Sequence, residues 1–495
     1  MKTWKKMALS CLALASVAGL AACGSLTGNQ SNEKSASGKD GVTDILMYQI
    51  GDAPKNLDVL LENANKILEK EAGAHLDIKY ISWGDYKDKM AIITSSGEEF
   101  DIAFADSPTY LTNAQKGAYV DLTDLYKKEG KALYDALDPA YIKGTTIDGK
   151  IYSVPVFGNV ASQQMLSFNQ DLVDKYGFDI SKVDSYDDLE PMLATIKEKE
   201  KDVTPLAWIK SSKPSTDGLE FPAGNELPFA VDLQGDAKKI VNPFQVDRRM
   251  EDLRTIHKYY KEGYILSDAA TTDATFNLDV ANWFVREETQ GPADYGDSLL
   301  STVAGYPITS QAITTAYKTN GSTQVANFVI SKTSKNKEKA MEVLTLMNTN
   351  PELLNGLVFG PEGVNWEKDP SAENRIKLLD GYMNDTRMSA WNTGNSQILY
   401  ITDKVTDKDI EKSKELLASA QESPLLGFNF NADAVKTEIT SIQNIMSQYA
   451  ASINTGTVDP DQAVPEMIKK LESEPSYQKV MDEMQKQYDA FLAEK

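Results

Sequence analysis

The sequence predicts an α/β fold, and three observations carry that expectation. Strands and helices alternate from residue 43 onward in the order β-α-β-α-β. A length of 495 residues allows two to four domains or two large lobes. The closing stretch, about 90 residues, is mainly helical, with apolar residues at helical spacing.

The chain opens with a segment set apart from the fold. MKTWKK is a basic stretch, and MALSCLALASVAGL is an apolar run of signal-peptide length. That run is too short to read as a membrane span. Small residues then lead into Cys23 in LAAC, followed by Gly24, the pattern of a bacterial lipoprotein signal. Residues 1–22 are therefore expected to be removed as a lipoprotein signal peptide. Cys23 is expected to carry lipid, palmitate included, and to hold the protein on the extracellular face of the cell membrane. Two acyl chains make such an anchor stable. Residues 23–41 lack large apolar side chains except Leu26 and read as a flexible polar tether. With Cys11 in the removed segment, the mature chain keeps one cysteine and forms no internal disulfide. Loss of Lys2, Lys5 and Lys6 moves the formal charge from −22 to −25. Such a charge disfavours a general nucleic-acid binder and suits a neutral ligand.

TDILMYQI reads as a buried strand. Pro54 then marks a helix start, and Leu57, Leu60, Leu61, Ala64, Ile67 and Leu68 follow at helical spacing. Leu76, Ile78 and Tyr80 alternate as a second strand. Residues 85–96 form a second helix that stops at Gly97, and Phe100, Ile102 and Phe104 alternate again. Ser107-Pro108 reads as a cap and first turn. This alternation implies a parallel sheet with right-handed crossovers. Ligands of such sheets lie beyond the carboxyl ends of the strands, where Gln49, Trp83 and Asp106 fall. In EEFDIAFADS, Glu98 and Glu99 read as solvated, Asp101 as lying near the strand start, and Asp106 as a hydrogen-bond acceptor at the cleft. DGKIYSVPVFGN, 148–159, is a turn and an extended segment. Residues 160–300 mix loops and helical pieces. Residues 325–349 return to strand, polar turn and helix. Val435, Ile439, Ile442, Met446 and Tyr449 form a late stripe that reads as core.

Recognisable catalytic chemistry is sparse. His75 and His257 are the two histidines, too few for a His-rich metal site or a His-based triad. GTTIDGKI at 144–151 ends in Ile151 and precedes an extended segment, so it is not a phosphate loop. Ser334-Lys335-Asn336-Lys337 reads as a helix cap. No metal, cofactor or catalytic residue is expected. Tryptophans are more telling: Trp208 in LAWIK reads as core, whereas Trp83 in SWGD and Trp391 in AWNTGN sit among turn residues. Aromatic rings with polar neighbours suit the C–H faces and hydroxyls of a sugar.

LAAC, QIGDAPKNLDVLLENAN, YISWGDYKDKM, GEEFDIAFAD, KGAYVDLTDL, DGKIYSVP and VISKTSKNKEKAMEVL, in that order, resemble the family 1 extracellular solute-binding lipoproteins of Gram-positive carbohydrate ABC importers. FGPEGVNWE, SPLLGFNFNADAVKTEI and NTGTVDPDQAVPEMIKKL resemble its long subgroup, which has a C-terminal domain of undefined role and includes a streptococcal N-glycan receptor. The resemblance implies a periplasmic-binding-protein-like fold of two lobes that close by hinge motion, in the manner of a Venus flytrap. It places the first lobe at 42–155 plus about 301–350, and the second at 156–300 plus about 351–495, with a helical C-terminal extension. It implies a monomeric, non-enzymatic receptor for an oligosaccharide, N-glycan-type ligands included, with ABC permease subunits as membrane partners and no nucleic acid. A peptide receptor of the same architecture, a secreted glycoside hydrolase and a structural adhesin are the alternatives. Candidate ligand contacts, chosen by placement alone, are Gln49, Trp83, Asp106, Asn159, Trp283, Arg286, Trp366 and Trp391.

Overall fold

The computed structural model describes residues 41–495 apart from 273, 274, 371 and 373. The signal segment, Cys23 and all of the tether but Gly41 lie outside the described residues. The fold begins with β1 (Thr43–Ile50), α1 (Leu57–Ala72), β2 (Ala74–Ile81), α2 (Tyr86–Ser96), β3 (Ile102–Ala105) and α3 (Ser107–Gln115). In α1 the apolar spacing buries Leu60, Ala64 and Leu68 on one face. The helix stops at Gly73, whose φ of 58° is the left-handed conformation that glycine adopts without strain. β1 pairs in parallel with β2 from Thr43↔Ala74 to Ile50↔Ile81, and with β3 through Met47↔Ile102.

The chain reaches β4 (Ser153–Pro155) through short helices and a hairpin turned by Asp148 and Gly149, at φ 50° and 74°. It then crosses to a second sheet built from β5 (Gln163–Asn169), β6 (Thr204–Leu206), β7 (Trp283–Gln290) and β8 (Ile308–Ala312). α4 (Asp247–Lys261) lies between β6 and β7 in the chain. The second sheet has the order β8-β5-β7-β6. β9 (Asn327–Ile330) returns to the first sheet, whose order is β2-β1-β3-β9-β4. The first sheet is therefore mixed where a parallel one was expected: β9 arrives from the strand-end side and runs antiparallel to β3 and β4. The return also comes later than about residue 301. Residues 308–312 pair with β5 in the second sheet, and their half-polar ITSQA lacks the apolar run that would have marked them.

After β9, α5 (Lys337–Thr349) packs on the first sheet, and α6 (Pro351–Phe359) packs on α1 and α5. The chain ends in α7 (Lys436–Asn454), α8 (Pro460–Glu472) and α9 (Pro475–Glu494). Three larger apolar cores result. Ile45, Met47, Leu68, Phe328 and Leu344 belong to the first, and Phe168, Leu193, Trp208 and Phe284 to the second. The third joins Phe229 and Leu253 to Ile442, Met467 and Met484, so the C-terminal helices share a core with residues 227–253. Each such buried side chain stabilises by about 1.5–3 kcal/mol. Among the described residues no helix is long and apolar enough to cross a membrane.

Asp101 locks the first sheet to its returning segment. Its Oδ2 accepts from the Leu46 amide at 3.0 Å, and its Oδ1 accepts from Ser334 Oγ at 2.5 Å. Asp101→Ala leaves a buried amide and hydroxyl unpaired and is expected to destabilise by about 3 kcal/mol. Thermal denaturation followed by circular dichroism checks this; an unchanged melting temperature contradicts it.

Candidate ligand-binding site

The carboxyl ends of β1, β2 and β3 converge on one edge of the first sheet, and a segment from far along the chain covers it. Gln49 is buried, and its Nε2 donates to the Asn392 carbonyl at 2.9 Å. Its own Oε1 accepts from the Ile50 amide at 3.0 Å. Gln49 thus holds residues 390–392 over the strand ends. The adjacent Trp391 stacks on Trp83, with ring centroids 5.7 Å apart and an angle of 21° between planes. Trp391 also meets the edge of Phe104 at 6.1 Å. The two indoles are 54% (Trp83) and 44% (Trp391) exposed, unusual for rings of this size. Gly51, at φ 114°, passes beneath Trp83; a Cβ there would come within 3.4 Å of its Nε1. Asp106 caps α3: Oδ1 accepts from Thr109 Oγ1 at 2.6 Å and from the Thr109 amide at 3.4 Å. Among the described residues Oδ2 has no donor.

The other candidates lie elsewhere. Trp283 is fully buried among Ala304 and Ile308, under the Arg286 guanidinium at 5.4 Å. Arg286 pairs with Glu288 at 2.5 Å and donates to the Phe276 carbonyl at 2.6 Å. Trp366 is buried in a small core with Val358 and Phe359, and its Nε1 donates to the Gly360 carbonyl at 2.8 Å. Asn159 donates to Asp294 Oδ2 and accepts from the Ala293 amide, both at 2.7 Å. These four side chains are occupied with packing or internal hydrogen bonds.

A cavity of about 860 Å³ opens next to the strand ends. Several separate parts of the chain wall it, among them α3 from Ser107 to Gln115, residues 162–164, the loop 213–225, the segment 314–324, residues 425–433 and one face of α7. None of the eight candidates lines it, although Ser107 adjoins Asp106. Such a wall leaves only a weak sequence signal, because its parts are far apart. The one legible trace is on α7, where Lys436, Ile439, Gln443, Met446 and Ala450 recur at steps of 3, 4, 3 and 4. That stripe shares Ile439 and Met446 with the core stripe and is hidden by it.

Polar groups hold the loop 213–225 in place. Asp217 Oδ1 accepts from the Thr315 amide at 2.8 Å, and Oδ2 from Gln234 Nε2 at 2.8 Å. Glu287 accepts from Tyr186 Oη at 2.5 Å and from Ser215 Oγ; burial pushes its carboxyl upward. Burial likewise raises Asp252, which accepts from Thr216, to about 6. The buried Arg249 guanidinium donates to the Pro214 carbonyl and, at 2.9 Å, to Asn454 Oδ1. Burial lowers its pKa, and the nearby Asp252 opposes that shift. Trp208 Nε1 donates to the Asn454 carbonyl at 2.9 Å. The loop, α4 and the end of α7 therefore meet at one node. Among the described residues no group of His, Cys, Asp and Glu is arranged to hold a metal ion.

Residues 51–352 match the family of bacterial extracellular solute-binding proteins. The chain belongs to that family. A second match, to a domain of unknown function, covers residues 424–493 of this solute-binding protein. It is 61% identical to a carbohydrate ABC transporter substrate-binding protein of Streptococcus pneumoniae serotype 4, over all of both chains. Among solved structures, the N-glycan transport solute-binding protein of S. pneumoniae superposes at a TM-score of 0.89 with 62% identity, over 91% of this chain and 99% of that one. The same relative in complex with Man5GlcNAc superposes at 0.80 with 61% identity, over 92% of this chain and 99% of that one.

Glu220 on the cavity wall generates a pH prediction. Burial pushes its carboxyl up to about 7, against the opposing effect of the Ser423 hydroxyl. Its pKa in the unfolded chain is about 4.3, so the folded protein holds the extra proton between these values. This contribution to stability is full below about pH 4 and is lost as pH rises through 7. The loss should be on the order of 2 kcal/mol between pH 5 and 7. Urea denaturation of Glu220→Gln across that range should show a flatter pH dependence than wild type; parallel curves contradict the assignment.

Proposed function

We propose that this solute-binding protein captures an oligosaccharide of the mannose–N-acetylglucosamine type and delivers it uncleaved to an ABC permease. One observation carries the reading: two exposed, stacked indoles stand at the strand ends, and α3, which starts at the end of β3, walls a cavity of about 860 Å³ lined by polar and apolar side chains. That volume is in the range of ligand pockets. Indole faces suit the C–H faces of sugar rings. Asp106 Oδ2, next to the cavity-lining Ser107, supplies an acceptor for a hydroxyl. Gln49 acts by positioning Trp391. The pneumococcal relative was crystallised with Man1GlcNAc and with Man5GlcNAc, which supports this sugar class.

In this reading the two sheets are the cores of two lobes, joined by the crossings near 156–162 and 313–326. Lipid on Cys23 would tether the protein beside the permease, on the outer face of the membrane.

Intrinsic tryptophan fluorescence titrated with Man5GlcNAc tests the reading. Saturable binding is expected, and Trp391→Ala or Trp83→Ala should weaken it about tenfold, about 1.4 kcal/mol. Asp106→Ala should weaken it as well; wild-type affinity in that variant removes Asp106 from the site. A response to peptides and to no oligosaccharide would sink the sugar reading. New reducing ends in the bound glycan would make the protein a hydrolase.

A further inference from the structure

Residues 424–493 match a domain to which no function is attached, yet α7 within it carries two stripes that overlap at Ile439 and Met446. Ile442, Ile445 and Ile453 face the core shared with Met467 and Met484. Lys436, Ile439, Gln443, Met446 and Ala450 line the cavity together with Phe221 of the loop 213–225. A helix that served only to cap the fold would need the first stripe alone. The second stripe has the mixed character of a sugar-binding wall, with apolar Ile439, Met446 and Ala450 beside the cationic Lys436 and the amide of Gln443. Gln443 is exposed, and among the described residues its side chain makes no hydrogen bond. The Arg249–Asn454–Trp208 node fixes the end of this helix to the loop across the cavity, so the wall is held in place before ligand arrives.

We infer that the C-terminal domain is a third wall of the binding cleft, and that α7 reads the sugar residues farthest from the indole pair. The inference rests on the sugar-binding reading above. On this inference a short glycan held at Trp83 and Trp391 stays off α7, and a longer one meets it. The domain therefore selects for glycan length, with Gln443 donating to and accepting from hydroxyls and the half-buried Ile439 and Ala450 meeting C–H faces.

The experiment compares two probes, Man1GlcNAc and Man5GlcNAc, by isothermal titration. Gln443→Trp, which fills the cavity from an exposed position, is expected to weaken Man5GlcNAc at least tenfold and to leave Man1GlcNAc within twofold. Gln443→Ala should do the same to a smaller extent. Equal weakening of both probes, or of neither, overturns the inference. A second measurement needs no variant: Man5GlcNAc, but not Man1GlcNAc, should protect Lys436 from amine acetylation read by mass spectrometry. Equal labelling with either probe counts against the inference. If wild type binds neither probe, the sugar reading fails and this inference falls with it. If wild type binds both and the variants do not discriminate between them, only the role of α7 is lost.

Discussion

One buried guanidinium ties the loop 213–225 to the end of α7. Arg249 on α4 has lost its water and must be satisfied by protein groups. It finds the carbonyl of Pro214 and the side chain of Asn454, which come from opposite walls. A buried charge left unpaired costs about 3–5 kcal/mol, so the loop and the helix end cannot drift apart cheaply. Trp208 takes the remaining carbonyl of Asn454, and His257 Nδ1 sits 2.6 Å from the Gly456 carbonyl one turn later. Exposed pairs such as Arg254 with Asp461 add little beside these. The polar node orients the walls; the apolar core beneath supplies the stability.

The first sheet solves a different problem. Its strand ends carry two large, exposed indoles that water disfavours. Stacking hides one face of each ring against the other, and Gln49 keeps residues 390–392 from swinging away. Gly51 contributes by taking a φ of 114° where the chain passes Trp83, a conformation glycine adopts without strain. An exposed apolar surface of this kind is tolerated where it is small and built for a partner.

Much of this was legible from local pattern. The alternation over residues 43–107 located β1 to α3, because each element there is specified by its neighbours in the chain. Trp83, Trp391 and Asp106 were found at strand ends or turns for the same reason. Trp283 and Trp366, candidates by placement, are instead buried against Ile308 and Phe359 through contacts that local composition does not encode. Gln49 was read as a ligand contact; its partner lies 343 residues away and turns it into a brace. The cavity walls were largely invisible, since loop 213–225 and α7 become one surface only through tertiary structure. The edge strand over residues 308–312 escaped because its side chains are half polar.

The separation between Gln49 and Asn392 also sets a schedule. The chain is made from its N-terminus, and β3 acquires its second neighbour only when residues 327–330 arrive. Until then β3 is a bare sheet edge, open to pairing with any other extended chain. The indole pair forms later still, once residue 391 has been delivered. A chain interrupted before that point would own a nearly complete first sheet and no aromatic platform. The order of the chain thus fixes an order of features: β3 gains its second neighbour first, and the ring pair is added to a sheet whose edge is already covered.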